Sequence, residues 1–362
     1  MRKHVVLLVV AVAVTAVVAP AYAEFYNKAL AGTAIGVGAR AIGMGDAYVA
    51  VAQDETALYW NPAGLSANTG FKWHTLSVGG AVDNIDVIDV LADVSDILKM
   101  DDTETLSASD FADLVKAARD SSGKPVEIET SLLTSFALGP IALGGYSQIA
   151  GTGQFDLDDL VNPTSVAAAA DAKGLGAVGV GYGRRLNERL QVGVTVKQAY
   201  MYNYAIEKTF SSNGTITAST DISDHDTAIT ADVGLRYQAE ENMAFGLVVR
   251  NVTSPTFSLE TGTGMESFEV EPSVHFGLAA GNPKNGTTIA ADIHNITESN
   301  DTGATVHIGV EQFVSRNLCL RAGVRNGQLT FGLGGKLGPI VLEIASASSY
   351  EDLFAASFST DF

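Results

Sequence analysis

GVGARAIGMGDAYVAVAQDETALYWNPAGL, residues Gly36 to Leu65, sets the terms for the rest of the chain. Its first ten residues hold Gly36, Gly38, Gly43 and Gly45. Glycine tolerates close backbone approach and dihedrals closed to other residues, which suits a chain threaded through a tight space. An alanine-rich segment with helical spacing follows and stops at Asn61-Pro62, since proline can neither donate a backbone hydrogen bond nor continue a helix. Two common motifs overlap the stretch. Gly36 to Ala41 fits the G-x-G-x-x-A dinucleotide fingerprint, which needs a buried strand before it. Asn61-Pro62-Ala63 fits the water-channel tripeptide, which needs six apolar helical spans. The sequence has neither context.

Upstream lies an export signal instead. Arg2, Lys3 and His4 precede an apolar run from Val5 to Val18, and Ala21-Tyr22-Ala23 is a small-x-small cleavage site. Residues 1–23 therefore read as a secretory signal peptide, with the mature chain expected to start at Glu24. The net charge of -19 argues against a nucleic-acid partner, which calls for a basic surface. One cysteine, Cys319, excludes an intramolecular disulfide and a cysteine-based zinc site.

Downstream of the stretch, from Phe71, apolar residues alternate with polar residues or glycine in segments of about ten, the length a tilted strand needs to cross a bilayer. Strands are predicted at 71–80, 131–138, 140–149, 174–185, 190–203, 227–238 and 243–252, then at 273–281, 287–296, 304–314, 317–325, 328–337, 339–349 and 353–362. Every second connection is short; those at 81–130, 150–173, 204–226 and 253–272 are long and acidic. Bacterial outer-membrane barrels have short periplasmic turns and longer extracellular loops, and the parity fits. In the last strand Phe354, Ala356, Phe358, Thr360 and Phe362 share one face. Within 81–130, Ile85, Ile88, Leu91, Val94, Ile97 and Leu98 recur at helical spacing, as do Phe111, Leu114, Val115 and Ala118. They predict two amphipathic helices at the barrel mouth, either a greasy collecting surface or a cap packed on itself and the rim. Val166 to Ala172 reads as one more short helix.

Alternation also assigns faces. Val306, Ile308 and Val310 point to lipid, leaving His307 and Glu311 inside; Leu318, Leu320, Ala322 and Val324 do the same for Cys319, Arg321 and Arg325. Asp232, Arg236, Arg250, His275, Lys336 and Glu343 are inward by the same parity. Arg or Lys facing lipid at the midplane costs about 2–4 kcal/mol, so the parity is enforced. Arg236, Arg250, Arg321 and Arg325 are candidates to pair with a ligand carboxylate, or else with Asp232, Glu311, Glu343 and the segment inside the barrel. No Gly-x-Ser-x-Gly elbow occurs and the histidines lack metal-ligand spacing, so no enzyme, cofactor or metal is expected. The acidic groups Asp156, Asp158, Asp159 and Asp221, Asp224, His225, Asp226 lack EF-hand spacing and read as solvated.

The Gly36–Leu65 stretch resembles the N-terminal hatch signature of the FadL-like outer-membrane family, the long-chain fatty acid transporters and their PorV/PorQ relatives. That pattern reads roughly G-A-R-A-x-G-M-G-G-A, an Ala/Asp segment, then N-P-A-G-L; the sequence departs from it at Asp46, where the family has glycine. The resemblance implies an all-β fold, a transmembrane antiparallel barrel of about 14 strands over residues 71–362 in the bacterial outer membrane. Residues 24–70 would be a hatch inside it, with Gly36, Gly38, Arg40, Gly43, Gly45, Asn61, Pro62 and Ala63 as gating residues. It implies passive uptake of fatty-acid-like hydrophobic molecules, or a PorV-like role in protein secretion or conjugation with secreted proteins as partners. Phe358 and Phe362 would then form the signal read by the barrel-assembly machinery, and outer-membrane lipid would be the surrounding partner.

Overall fold

The computed structural model describes residues 36–84, 90, 92–100, 102–121, 124–262, 264–281, 286–348 and 352–361. The signal peptide, Ile85, Ile88, Leu91 and Phe362 lie outside the described residues. Strands β1 (Phe71–Asp83), β2 (Val126–Leu138), β3 (Ile141–Leu157), β4 (Ser165–Arg185), β5 (Leu190–Ser211), β6 (Ile216–Glu240) and β7 (Met243–Arg250) form one half of the wall. After the hairpin β8 (Thr256–Thr261) and β9 (Gly264–Glu269), strands β10 (Ser273–Ala280), β11 (Thr287–His294), β12 (Thr305–Phe313), β13 (Leu318–Arg325), β14 (Gln328–Leu337), β15 (Ile340–Ser348) and β16 (Asp352–Asp361) form the other. Fourteen of these strands, all but β8 and β9, close into one antiparallel barrel, β16 pairing back onto β1. Each is one of the strands expected from alternation.

The predicted faces hold. Val306, Ile308, Val310, Leu318, Leu320, Phe354 and Phe358 are exposed on the outside, whereas His307, Glu311, Arg321, Asp232, Arg236, Arg250, His275 and Glu343 are buried within. One extra residue interrupts the pattern: pairing slips between His74 and Leu76, so Trp73 and Leu76 both face out. The Thr134 hydroxyl donates to the His74 and Thr75 carbonyls at 3.2 and 3.0 Å, satisfying the bulge.

The connections depart most from expectation. The regions 150–173 and 204–226 are mainly strand, leaving only short turns at 158–164 and 212–215. β4, β5 and β6 run 21, 22 and 25 residues, about twice what crossing requires, so their outer halves stand above the membrane. Val166 to Ala172 is not helical; it pairs residue by residue with β3 and β5, and the ladder overrides alanine's helical preference. The loop expected at 253–272 contains the β8–β9 hairpin, which folds over the inward face. There Phe257, Leu259 and Val270 pack on Ala150, Leu175, Ala199 and Met201. The acidic residues of β6 anchor it: Asp226 accepts from the Ser258 N–H at 2.8 Å and Asp224 from the Glu260 N–H at 2.7 Å.

The first long connection holds two described helices beyond those inside the barrel, Ser95–Leu98 and Ala108–Asp120. The second is the expected amphipathic helix, started by a reciprocal capping box between Ser107 and Asp110. Its Leu114, Val115 and Ala118 do not cap the mouth. They pack against Val126, Phe155, Val166 and Phe210, which the register places on the outward face of the extended wall. Substituting Ile308 by Arg on the lipid face should lower stability by about 2–4 kcal/mol in urea-driven unfolding from lipid vesicles. The same change at the exposed turn residue Leu160 should cost less than about 0.5 kcal/mol.

Candidate functional site: the plugged lumen

The chain from Gly36 to Asn68 fills the barrel. It is not the continuous helix its spacing suggests. Two short helices, Ala39–Gly43 and Ala57–Trp60, are joined by turns, and a 3₁₀ turn runs from Pro62 to Ala67. Asn61 is extended and its side chain accepts from the Ala63 N–H, so Pro62 starts this last turn rather than only ending the previous one. Asp46, where the family pattern has glycine, adopts φ 63°, a conformation glycine favours. Its carboxylate repays the strain by bonding Arg325 Nε of the wall at 2.8 Å.

Charge fixes the plug on one side. Glu311 Oε2 accepts from Arg40 Nε at 2.8 Å and from Arg321 Nε at 2.7 Å. Arg40 also reaches Asp54 at 3.1 Å, and Arg321 reaches Glu343 at 2.8 Å. Two guanidiniums and three carboxylates thus form one chain from plug to wall. Losing Glu311 would strip Arg40 and Arg321 of a shared partner, the kind of change that costs about 3–5 kcal/mol in a buried pair.

Backbone contacts hold the rest. Asp292 Oδ2 accepts from the Tyr48 and Val49 N–H groups at 2.7 and 2.8 Å. Arg236 Nε donates to the Ala50 carbonyl at 2.9 Å. Arg250 donates to the Tyr59 carbonyl at 3.3 Å and lies 4.4 Å above the Tyr59 ring. Asn61 Nδ2 donates to Val49 of the plug at 2.9 Å and to Leu235 of the wall at 3.2 Å. His307 Nδ1 lies 2.7 Å from the Gly45 carbonyl. All four arginines singled out in the sequence therefore contact the plug or wall carboxylates in this closed arrangement.

A set of seats was missed by sequence reasoning. Inward-facing glycines of the wall lie directly against the plug backbone. A Cβ on Gly246 would meet the Val49 carbonyl at 2.6 Å, one on Gly323 the Gly45 nitrogen at 2.5 Å, and one on Gly332 the Gly43 Cα at 3.0 Å. Gly183, Gly193 and Gly309 are equally crowded by Pro62 and Met44. Many are cross-strand partners, Gly183 with Gly193, Gly193 with Gly234, Gly246 with Gly277 and Gly309 with Gly323, so they make a band around the bore. The signal was available: glycine recurring at inward parity on neighbouring strands marks close approach by another backbone. On the plug, Gly45 answers with φ 63° and wall carbonyls at 2.7 and 2.8 Å from its would-be Cβ.

No protein-family profile matches this sequence, and no curated protein matches it. Solved structures do. The toluene transporter TbuX of Ralstonia pickettii superposes with a TM-score of 0.55 at 13% identity, covering 90% of this chain and 98% of that one. For the toluene transporter TodX of Pseudomonas putida the values are 0.51, 12%, 88% and 95%. A FadL homologue of Pseudomonas aeruginosa gives 0.53, 9%, 91% and 99%. This is the FadL-type fold. At such identities the likeness is one of architecture, a closed antiparallel barrel.

Replacing Gly323 by Val should leave the FadL-type barrel folded, as judged by its heat-modifiable migration, but unseat the plug. Planar-bilayer ion conductance should rise and residues 36–68 should become open to protease. Gly335→Val is the control, since its Cβ would meet nothing closer than 4.0 Å.

Proposed function

We propose that this protein admits hydrophobic small molecules passively across the outer membrane, with the segment inside the barrel as a movable gate. The observation that carries the reading is the way the lumen is closed. The obstruction is the chain's own N-terminal segment, held by hydrogen bonds, ion pairs and glycine seats and not by continuity with the β-ladder. It can leave without breaking a strand pair. The fold neighbours lend the substrate class: TbuX and TodX are toluene transporters, and another TodX structure is a monoaromatic hydrocarbon channel. Nothing among the comparisons favours the PorV-like secretion role.

Arg236, Arg250 and Arg325 serve this gate first as its clasps, and Arg321 backs Glu311, which holds Arg40. Pairing of Arg236, Arg250 or Arg325 with a ligand carboxylate belongs to the open state, once Ala50, Tyr59 and Asp46 have moved away. Arg40, Gly36, Gly38, Gly43, Gly45 and Asn61-Pro62-Ala63 are assigned to the moving side.

A clamp tests the gate. A Cβ on Gly43 would lie 3.4 Å from the Arg321 Cβ, close to the separation a disulfide needs. Gly43→Cys with Arg321→Cys, in a Cys319→Ser background, should take up labelled toluene and palmitate in proteoliposomes when reduced and lose that uptake when oxidised. The loss of Arg321 is common to both forms and cancels. Equal uptake in the two redox forms would rule out gating by this segment.

A further inference from the structure

A second site lies on the outside of the wall. Registers place Gly153, Ala170 and Ile206 side by side, and next to them Phe155, Ala168 and Lys208. They share the face that carries the lipid-exposed Val178, Val180 and Val196 lower on β4 and β5. Between the two levels the same face of β5 carries Tyr200, Tyr202 and Tyr204, amphipathic side chains of the kind enriched where a membrane meets water. The apolar surface above them would meet water if left bare.

Among the described residues, the first connection covers it in part. Its Ser95–Lys99 segment arches over the wall and leaves a cavity of about 330 Å³. The floor is open because Gly153, Ala168 and Ala170 have almost no side chain to fill it. Phe155, Ile206 and Phe210 supply apolar walls. Lys208 stands at the rim. Its Nζ donates to the Leu98 and Met100 carbonyls at 3.1 and 2.8 Å, which ties the roof down and uses two of three protons. Among the described residues no carboxylate forms a salt bridge with Lys208. Lys99 lies beside it, paired with Asp96 at 2.9 Å on the open surface.

We infer that this cavity binds a single-chain amphiphile with an anionic head, the chain along the alanine floor and the carboxylate at Lys208. A slot of this size and lining, with the Lys208 ammonium at the rim and Lys99 also in the lining, fits that chemistry. The site lies on the outside of the wall, with Tyr204 in its lining. A molecule leaving it meets the outer leaflet along the wall without crossing the lumen. The inference is independent of the gate and stands or falls separately.

The test uses the full protein in nanodiscs with dansyl-labelled undecanoic acid as the probe. Wild type should bind it saturably at one site. Ala170→Phe and, separately, Ala168→Met should each weaken binding by about tenfold or more while heat-modifiable migration is retained. Lys208→Met should weaken the acid by about tenfold and leave its methyl ester unchanged, with Lys208→Arg restoring the acid. Oxidising the Gly43–Arg321 clamp should leave binding intact. The assignment is overturned if both cavity-filling variants bind like wild type, if the clamp abolishes binding, or if acid and ester bind equally. Absence of probe binding in wild type, as expected were a bilayer acyl chain to fill the slot, overturns it also.

Discussion

In the hydrocarbon layer no water is present to satisfy a peptide group, so every N–H and C=O of a spanning strand must find a partner on its neighbours. Much of the molecule follows from that constraint. The ladder must close, hence β16 against β1. A closed ladder forces side chains to alternate between lipid and lumen, and lipid takes the apolar set. Polar and charged residues are then driven into the bore, where they too need partners. Glu311, Asp292, Arg236 and Arg250 find them on the segment from Arg40 to Tyr59. The plug is in this sense the second half of the barrel's hydrogen-bond accounting.

Above the membrane the constraint relaxes, and the two faces of the wall swap roles. Inside, Asp224 and Asp226 hold the β8–β9 hairpin by its backbone N–H groups. Outside, the helix Ala108–Asp120 lies on Phe155, Val166 and Phe210. Each insertion covers a face that the extended strands could not leave bare. The extracellular part is therefore a sheet dressed on both sides, whereas the spanning part has lipid on one side and the plug on the other.

What could be read from the sequence follows the same division. The spanning strands were legible because lipid enforces period two, and Val306, Ile308 and Val310 had no other way to point. The helix at Phe111–Ala118 was legible because its apolar face has a period of its own and Ser107 announces its start. Val166–Ala172 was misread because alanine carries no face; only pairing with β3 and β5 decides it. The hairpin at 256–269 was hidden in a stretch whose burial depends on Met201 and Leu175, far away in sequence. In the site, the charges were placed correctly, but their partners were not. Which arginine meets which carbonyl depends on turns within the plug, such as the one Asp46 makes at positive φ.

The glycine band carries a consequence for the open state. Where Gly193, Gly234, Gly246, Gly277, Gly309 and Gly323 face inward, the wall is bare peptide, thinner by a side chain on each of those six strands. With the plug seated this thinness is filled. Were the segment to withdraw as proposed, the same belt would leave a stretch of wall with few side chains projecting into the bore, Asp292 beside Gly277 among them. The residues that make the seal tight are thus the ones that would make the bore wide.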